Sequence, residues 1–445
     1  MRLRLLVVLT ALIGGLTFAP HASADSWDYI YDDNPSSVND VSSFTGVRID
    51  PLGGVFLTGY FYGQFEGLSS SGQWVRFVQH RNENGAVDWT RAIDTVAGAA
   101  PPSDFGWMEV DGEGTLFVAM NNDGAFIPPR TYSSVTRAGA VATSNSNTAC
   151  APLFGGSQIA SADSGLISLC MVNPQDGAPM WADGAEWRVR KHDANFNLVW
   201  QQFVVGSRSS SNGEIFNESY PVIERGPDGS AWLLYNLNTE NLGNNAPLPQ
   251  DFRAALAMKR ISTTDGSTIT SIKHFGLMLN KTKSKAWGGS LWLGVRSSRT
   301  SNYQITVFRS DNGAKVGEIV DWFGLSKDSY LTPPNPTIFE SFFPPLKHDS
   351  GVGIYLYGFL NVGSYLGVDR SNYSVNRPAG TPGDQFTARI QFTNEGRRLV
   401  FAFDRYLWVF ELSDSDIPTV ERVLSVREFD SNINDFDADD LGNIY

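Results

Sequence analysis

Val47-Arg48-Ile49-Asp50-Pro51-Leu52-Gly53-Gly54-Val55-Phe56-Leu57-Thr58-Gly59 reads as strand, tight turn, strand. Asp and Gly stand at the turn, where positive φ is cheapest for Gly, and the flanking residues are β-branched or aromatic. After a Gly- and Ser-rich connection comes Trp74 to Arg81, then Asn84-Gly85, then Ala86-Val87-Asp88-Trp89. That is a second hairpin. Together the two predict a four-stranded antiparallel meander of about fifty residues with a Trp in its outer strand.

The same grammar recurs along the chain. Met108 to Val118 repeats the first hairpin around Gly112-Glu113-Gly114, and Ile159 to Leu169 does so around Asp163-Ser164-Gly165. Trp187 to Asp193 and Leu198-Val199-Trp200 repeat the second. Pro221 to Tyr235 turns at Asp228-Gly229, Lys285 to Val295 at Gly288-Gly289, Leu346 to Phe359 at Gly351 and Ala388 to Phe403 at Gly396. The turn glycines fall at 53, 114, 165, 229, 289, 351, 396 and 442, at intervals of 45 to 64 residues. Units of this length, without helical segments to cover them, predict an all-β chain. The expected fold is a β-propeller of four-stranded antiparallel blades, seven by this spacing within a range of six to eight. Stacked solenoids usually have shorter, more uniform repeats.

The eighth marker opens a first hairpin, Asn434 to Tyr445, and there the sequence stops. Two expectations follow. Either this segment donates strands to a blade completed by Ser26-Trp27-Asp28-Tyr29-Ile30-Tyr31, which removes an exposed edge, or the chain is cut short at its C-terminus. Asp435, Asp437 and Asp439 have the alternate spacing of a calcium loop. Asp440 stands where that loop needs Gly, so calcium is a weak candidate here and no other cofactor is expected.

Arg2 and Arg4, the apolar run Leu5 to Phe18 and the small residues Ala22-Ser23-Ala24 form a secretory signal over residues 1–24, with Asp25 as the new N-terminus. Residues 25–445 are then one propeller domain, expected to be secreted or periplasmic. Loss of Arg2 and Arg4 moves the formal charge from −13 to −15. An acidic exported domain argues against nucleic acid and against anionic membrane surfaces. No later apolar run is long enough to insert in a bilayer, and a monomer is expected. In an oxidising compartment Cys150 and Cys170 are most simply one disulfide.

Asp50 to Gly59, with Phe65, Phe77-Val78 and Gly85-Ala86-Val87-Asp88-Trp89, resembles the bacterial seven-bladed propeller repeat. Asp439 to Tyr445 is similar to the opening of the same repeat. Lys259 to Ile272 and Val307 to Ile319 look like outer hairpins of quinoprotein-type propellers. The resemblance implies the fold and an exported setting. It implies no activity, because functions are grafted onto loops of such scaffolds.

The chain lacks a Gly-x-Ser-x-Gly elbow, a phosphate-binding Gly-rich loop, a dinucleotide fingerprint and a His-Glu-x-x-His pair. His80 and His192 fall at similar places near the ends of third strands, which repeat grammar explains better than metal ligation. Trp181, Asp183 and the 361–384 connection are the residues that blade grammar does not require, so they are the ligand candidates. The expected function is a non-enzymatic binding or scaffold propeller for a protein, glycan or small ligand. The alternatives are a polysaccharide lyase or hydrolase with carboxylates in the central funnel, and a quinone cofactor stacked on an axial Trp.

Overall fold

The computed structural model describes residues 41–98, 101–102, 107–120, 131–144, 158–172, 186–206, 215–216, 221–226, 228–238, 254–287, 290–297, 303–322, 352–357, 361–366, 389–393, 398–403, 406–412, 420–429, 433, 435–439 and 443–445. Residues 35–445 form one compact unit. All regular structure among the described residues is β.

The first blade is an antiparallel meander of β1 (Val41–Ile49), β2 (Val55–Tyr62), β5 (Trp74–Arg81) and β6 (Val87–Val96). A small hairpin of β3 (Gln64–Phe65) and β4 (Leu68–Ser69) interrupts it. The second blade pairs β7 (Trp107–Val110), β8 (Leu116–Met120), β9 (Thr131–Val135) and β10 (Val141–Thr143) in the same order. The third holds β11 (Gln158–Ala160), β12 (Leu166–Val172), β13 (Glu186–His192) and β14 (Leu198–Gly206). Short β15 (Ile215–Phe216) joins β14 to the fourth blade, which is β16 (Val222–Arg225), β17 (Ala231–Asn238), β18 (Ala254–Ile261) and β19 (Thr268–Phe275). The fifth is β20 (Leu277–Trp287), β21 (Ser290–Ser297), β22 (Tyr303–Arg309) and β23 (Lys315–Trp322). Next come the hairpin β24 (Val352–Tyr357) and β25 (Asn361–Leu366), then a last four-stranded sheet of β26 (Arg389–Thr393), β27 (Arg398–Phe403), β28 (Tyr406–Leu412) and β29 (Val420–Glu428).

The first strands lie side by side: β1 against β7, β7 against β11, β11 against β16, β16 against β20. That is the inner wall of a propeller, with each meander running outward from it. Alternation in each strand sends one face to the preceding blade and the other to the next. Ile167, Leu169, Trp187 and Val189 of the third blade pack with Ile223, Ala231 and Leu233 of the fourth. Phe56 and Val78 of the first pack with Met108, Leu116 and Val118 of the second. The core is therefore a series of slabs between blades.

The C-terminal segment extends this series. Asp439 N–H donates to Asn443 O at 3.0 Å, the same turn bond that Asp50 makes to Gly54 and Asp111 to Thr115. Ala438 bridges Ile444. In the second blade Glu109 Oε2 accepts the Ala160 N–H of the third blade at 2.8 Å. Asp437 holds the place of Glu109, and its Oδ2 accepts the Ile49 N–H at 2.9 Å across 388 residues of chain. The segment thus stands beside β1 as the second blade stands beside the third. Trp27 and its neighbours lie outside the described residues.

Candidate functional site

The histidines and aspartates marked for chemistry converge on the seams between blades. His80 sits on β5 directly across from Phe56 and Trp89. Its Nδ1 is 2.7 Å from Asp88 Oδ2 and its Nε2 is 3.1 Å from Asp50 Oδ2. Arg137, from the second blade, adds Nε to Asp50 Oδ2 at 3.0 Å. His80 and Asp50 are buried to 1% and 0% side-chain exposure. The imidazole stacks on Trp89 and meets the edge of Phe56. Both ring nitrogens are occupied by carboxylates, so none is left to face a substrate as a general base.

The same position is filled differently in each blade. Lys191 pairs across the third blade with Ile167 and Trp200, and Arg260 across the fourth with Trp232. Lys191 Nζ donates to both oxygens of Asp163 at 2.9 Å and to Thr263 O of the next blade at 3.0 Å. Arg260 bonds Asp228, and its Nη1 donates to Asp311 O of the next blade at 2.6 Å. His80 therefore corresponds to Lys191 rather than to His192. His192 pairs with Leu166 as Arg81 pairs with Val55, one residue further along. His80 and His192 thus fall at similar places near the ends of third strands, offset from each other by one residue of register.

In the outer turns of the second to fifth blades one backbone carbonyl receives the preceding blade. Trp89 Nε1 donates to Arg137 O at 2.9 Å. Ser134 Oγ donates to Ala194 O. Trp200 Nε1 donates to Thr263 O at 3.1 Å, and Trp232 Nε1 to Ser310 O at 2.9 Å. Two positions on stands a glycine at positive φ: Gly139, or one residue later Gly266 and Gly313. A Cβ on Gly139 would press on Trp89 at 3.1 Å, and one on Gly266 on Trp200 at 2.8 Å. The glycine supplies both the conformation and the clearance for the aromatic ring.

In the third blade this turn position is Phe196, at φ 62° and buried. Its ring meets Phe117 of the second blade edge-on, and Ala142 packs against the same cluster. Ala142 faces Ser134 as Trp89 faces His80. The aromatic at this seam is thus supplied from the opposite side. The left-handed conformation costs roughly 1–2 kcal/mol for a residue with a Cβ, and buried ring contact offsets it.

The seam carboxylates are tuned by their partners. Burial alone would raise Asp163, but the hydrogen bonds from Lys191 and then Ser161 outweigh it and hold the carboxyl below the ordinary range. Asp228 is likewise lowered, with burial opposed by the Ser230 hydroxyl, the Ser230 N–H and the Arg260 charge. Asp111 is raised because burial prevails over bonds from Gly165, Thr115 and Glu113. Burial lowers His274, against the bond from its Nε2 to Gly313 O at 2.9 Å.

Asp435, Asp437 and Asp439 do not converge. Asp435 Oδ2 accepts Val47 N–H at 3.1 Å and pairs with Arg48 at 2.8 Å. Asp437 Oδ1 accepts Ala438 N–H at 3.1 Å, while its other oxygen serves Ile49. Asp439 accepts the backbone and side chain of Asn443 at 2.8 and 2.7 Å. Among the described residues no group of three His, Cys, Asp or Glu is placed to hold a metal. Cys170 is buried on β12; Cys150, Trp181, Asp183 and the 367–384 part of the long connection lie outside the described residues. No described helix is long and apolar enough to cross a membrane.

Lys191, Arg260 and Phe196 were invisible to motif search. Their signal is positional, one or a few residues from an outer turn whose tertiary partner is in the next blade.

No family model matches the sequence, and no curated protein matches it. Among solved structures the chain is similar to the C-terminal WD40 domain of Sif2, at 10% identity and TM-score 0.34, over 91% of this chain and 92% of that one. A structure described for two prolyl endopeptidases aligns at 11% identity and TM-score 0.38, over 88% of this chain and 49% of that one. The uncharacterized protein lmo1340 from Listeria monocytogenes EGD-e aligns at 9% identity and TM-score 0.32, over 63% and 70%. The assignment as a β-propeller rests on the repeated seams.

Proposed function

We propose that the mature chain is an exported, non-enzymatic binding or scaffold propeller that holds a protein, glycan or small ligand with its loops. The observation that carries this reading is where the titratable groups of the frame are spent. His80, Asp50, Lys191, Asp163, Arg260 and Asp228 bond to one another and to neighbouring blades. Such groups stiffen a platform and leave recognition to the connections, where propellers vary most. The resemblance of residues 46–94 to the bacterial exported repeat, and the signal at residues 1–24, favour a secreted or periplasmic setting. In that setting Cys170 pairs with Cys150.

A glycan and metabolite binding screen on the mature chain tests the reading, with polysaccharide lyase and hydrolase assays run in parallel. The expected result is saturable binding without turnover. Reproducible turnover would replace the scaffold reading with an enzyme in the funnel. N-terminal sequencing of exported protein is expected to begin at Asp25, and alkylation with and without reductant is expected to show one disulfide.

A further inference from the structure

The face of the third blade turned to the second carries a positive charge that the seam leaves unused. Leu166 belongs to the cluster with Phe117 and Tyr132 of the second blade, so the face it shares with Ser168 looks that way. Arg190 lies across from Ser168, and Arg188 across from Cys170, on the same face. Arg188 is paired with Glu186 at 2.8 Å. Arg190 makes no hydrogen bond and no ion pair among the described residues, and its Nε is closed to solvent. Burial and then the Arg188 charge push its guanidinium below the ordinary range.

The first two blades fill this place with a neutral residue bonded across the strand pair, whereas the fourth carries a second cation, Lys259. In the first blade the residue at this place is Gln79, which donates to Thr90 across the strand pair at 3.1 Å and accepts from Arg81 at 2.7 Å. In the second it is Ser133, bonded across the pair to Thr143 at 3.1 Å. In the third the cross-strand residue is Gln201, which is exposed and makes no bond to Arg190. Arg190 is partly buried, and its Nε, closed to solvent and without a partner, leaves one donor of a charged group unsatisfied, which is costly. A planar guanidinium edge matches two oxygens of one anion.

We infer that Arg190, with the Arg188 charge and the Ser168 hydroxyl beside it, receives a small oxyanion, a carboxylate or a sulfate, on the face of the third blade turned to the second. This site is independent of the loop ligand proposed above, so its failure would leave that reading standing.

The test is calorimetric titration of the full mature chain with acetate and with sulfate, at ionic strength matched with chloride. One saturable site for at least one anion is expected, and the better anion identifies the source as a carboxylate or a sulfate group. Arg190→Gln is expected to weaken that site at least tenfold. Arg190→Lys keeps the charge and loses the fork, and is expected to weaken it several-fold; it also serves as the folded control if Arg190→Gln does not fold. In chloride alone Arg190→Gln, when folded, is expected to melt no lower than wild type. Wild-type affinity in both variants would mean an adventitious ion only and overturn the proposal, as would no binding of either anion above chloride.

Discussion

The seam between the first and second blades and the seam between the second and third reach the same closure from opposite sides. At the first, Trp89 leans out of β6 over Gly139 and bonds Arg137 O. At the second, the small Ala142 stands where a Trp would be, and Phe196 leans back from the turn toward Phe117. At this position each of the two seams sets one ring against one small residue, Trp89 against Gly139 and Phe196 against Ala142. What the repeat preserves is the volume between blades and the carbonyl that accepts the bond, not the residue that fills a given column. A sequence repeat can therefore decay while the packing it encodes persists.

The polar half of the comparison gives the largest expected effect. Asp50, fully buried, faces the buried His80 and the half-exposed Arg137. Asp50→Asn takes the carboxylate from buried His80 and from half-exposed Arg137, and a loss of about 3 kcal/mol is expected by denaturant unfolding, the low end for a buried pair because His80 keeps Asp88. A midpoint within error of wild type would mean that the first seam does not depend on this cluster. Trp200→Ala removes a ring and the indole bond to Thr263 O. A loss of about 3 kcal/mol is expected, toward the low end for Trp because the ring is only partly buried.

The exchanged aromatic offers a double-mutant cycle. Phe196→Gly removes both the ring and the left-handed strain, so a net loss of roughly 1–3 kcal/mol is expected. Ala142→Trp alone meets the Phe196 ring and is destabilising. The pair Ala142→Trp with Phe196→Gly recreates the first seam, and is expected to be more stable than the sum of the singles by at least about 1 kcal/mol. Simple additivity would break the comparison.

Acid gives the smallest effect. His274 is lowered in the folded state, so its contribution is complete above the unfolded value of about 6.5 and is lost as pH falls through the folded one. Asp163 and Asp228 are also lowered; their contribution is present above the unfolded value of about 3.9 and is lost below it, as pH falls through their folded values. Unfolding free energy is thus expected to decline in two stages as pH falls, one beginning at about 6.5 and one at about 3.9, the second offset in part by Asp111, whose raised carboxyl acts with the opposite sign. His274→Gln should remove the upper stage and leave the lower.

Much of the frame was legible in the sequence. The positive-φ glycines at 53, 85, 114, 139, 229, 266 and 313 mark turns that exist, and alternation placed the strands around them. The seams were not legible, because their chemistry depends on which residues face the next blade. A one-residue offset makes Lys191, not His192, the counterpart of His80. Asp435, Asp437 and Asp439 illustrate the same limit. Their local spacing suggested a calcium loop, whereas the first two are bound by β1, through the Val47 and Ile49 N–H groups and the Arg48 side chain, at the other end of the chain.

That contact is also where the central claim, blades fastened in a closing series by repeated seams, is most exposed. Amide hydrogen exchange at Val47 and Ile49 reports it directly. In an Asp435→Ala, Asp437→Ala chain these two amides are expected to lose protection, while Phe56 and Val78 inside the first blade keep theirs. Unchanged exchange at Val47 and Ile49 would contradict the placement of the C-terminal segment beside the first blade.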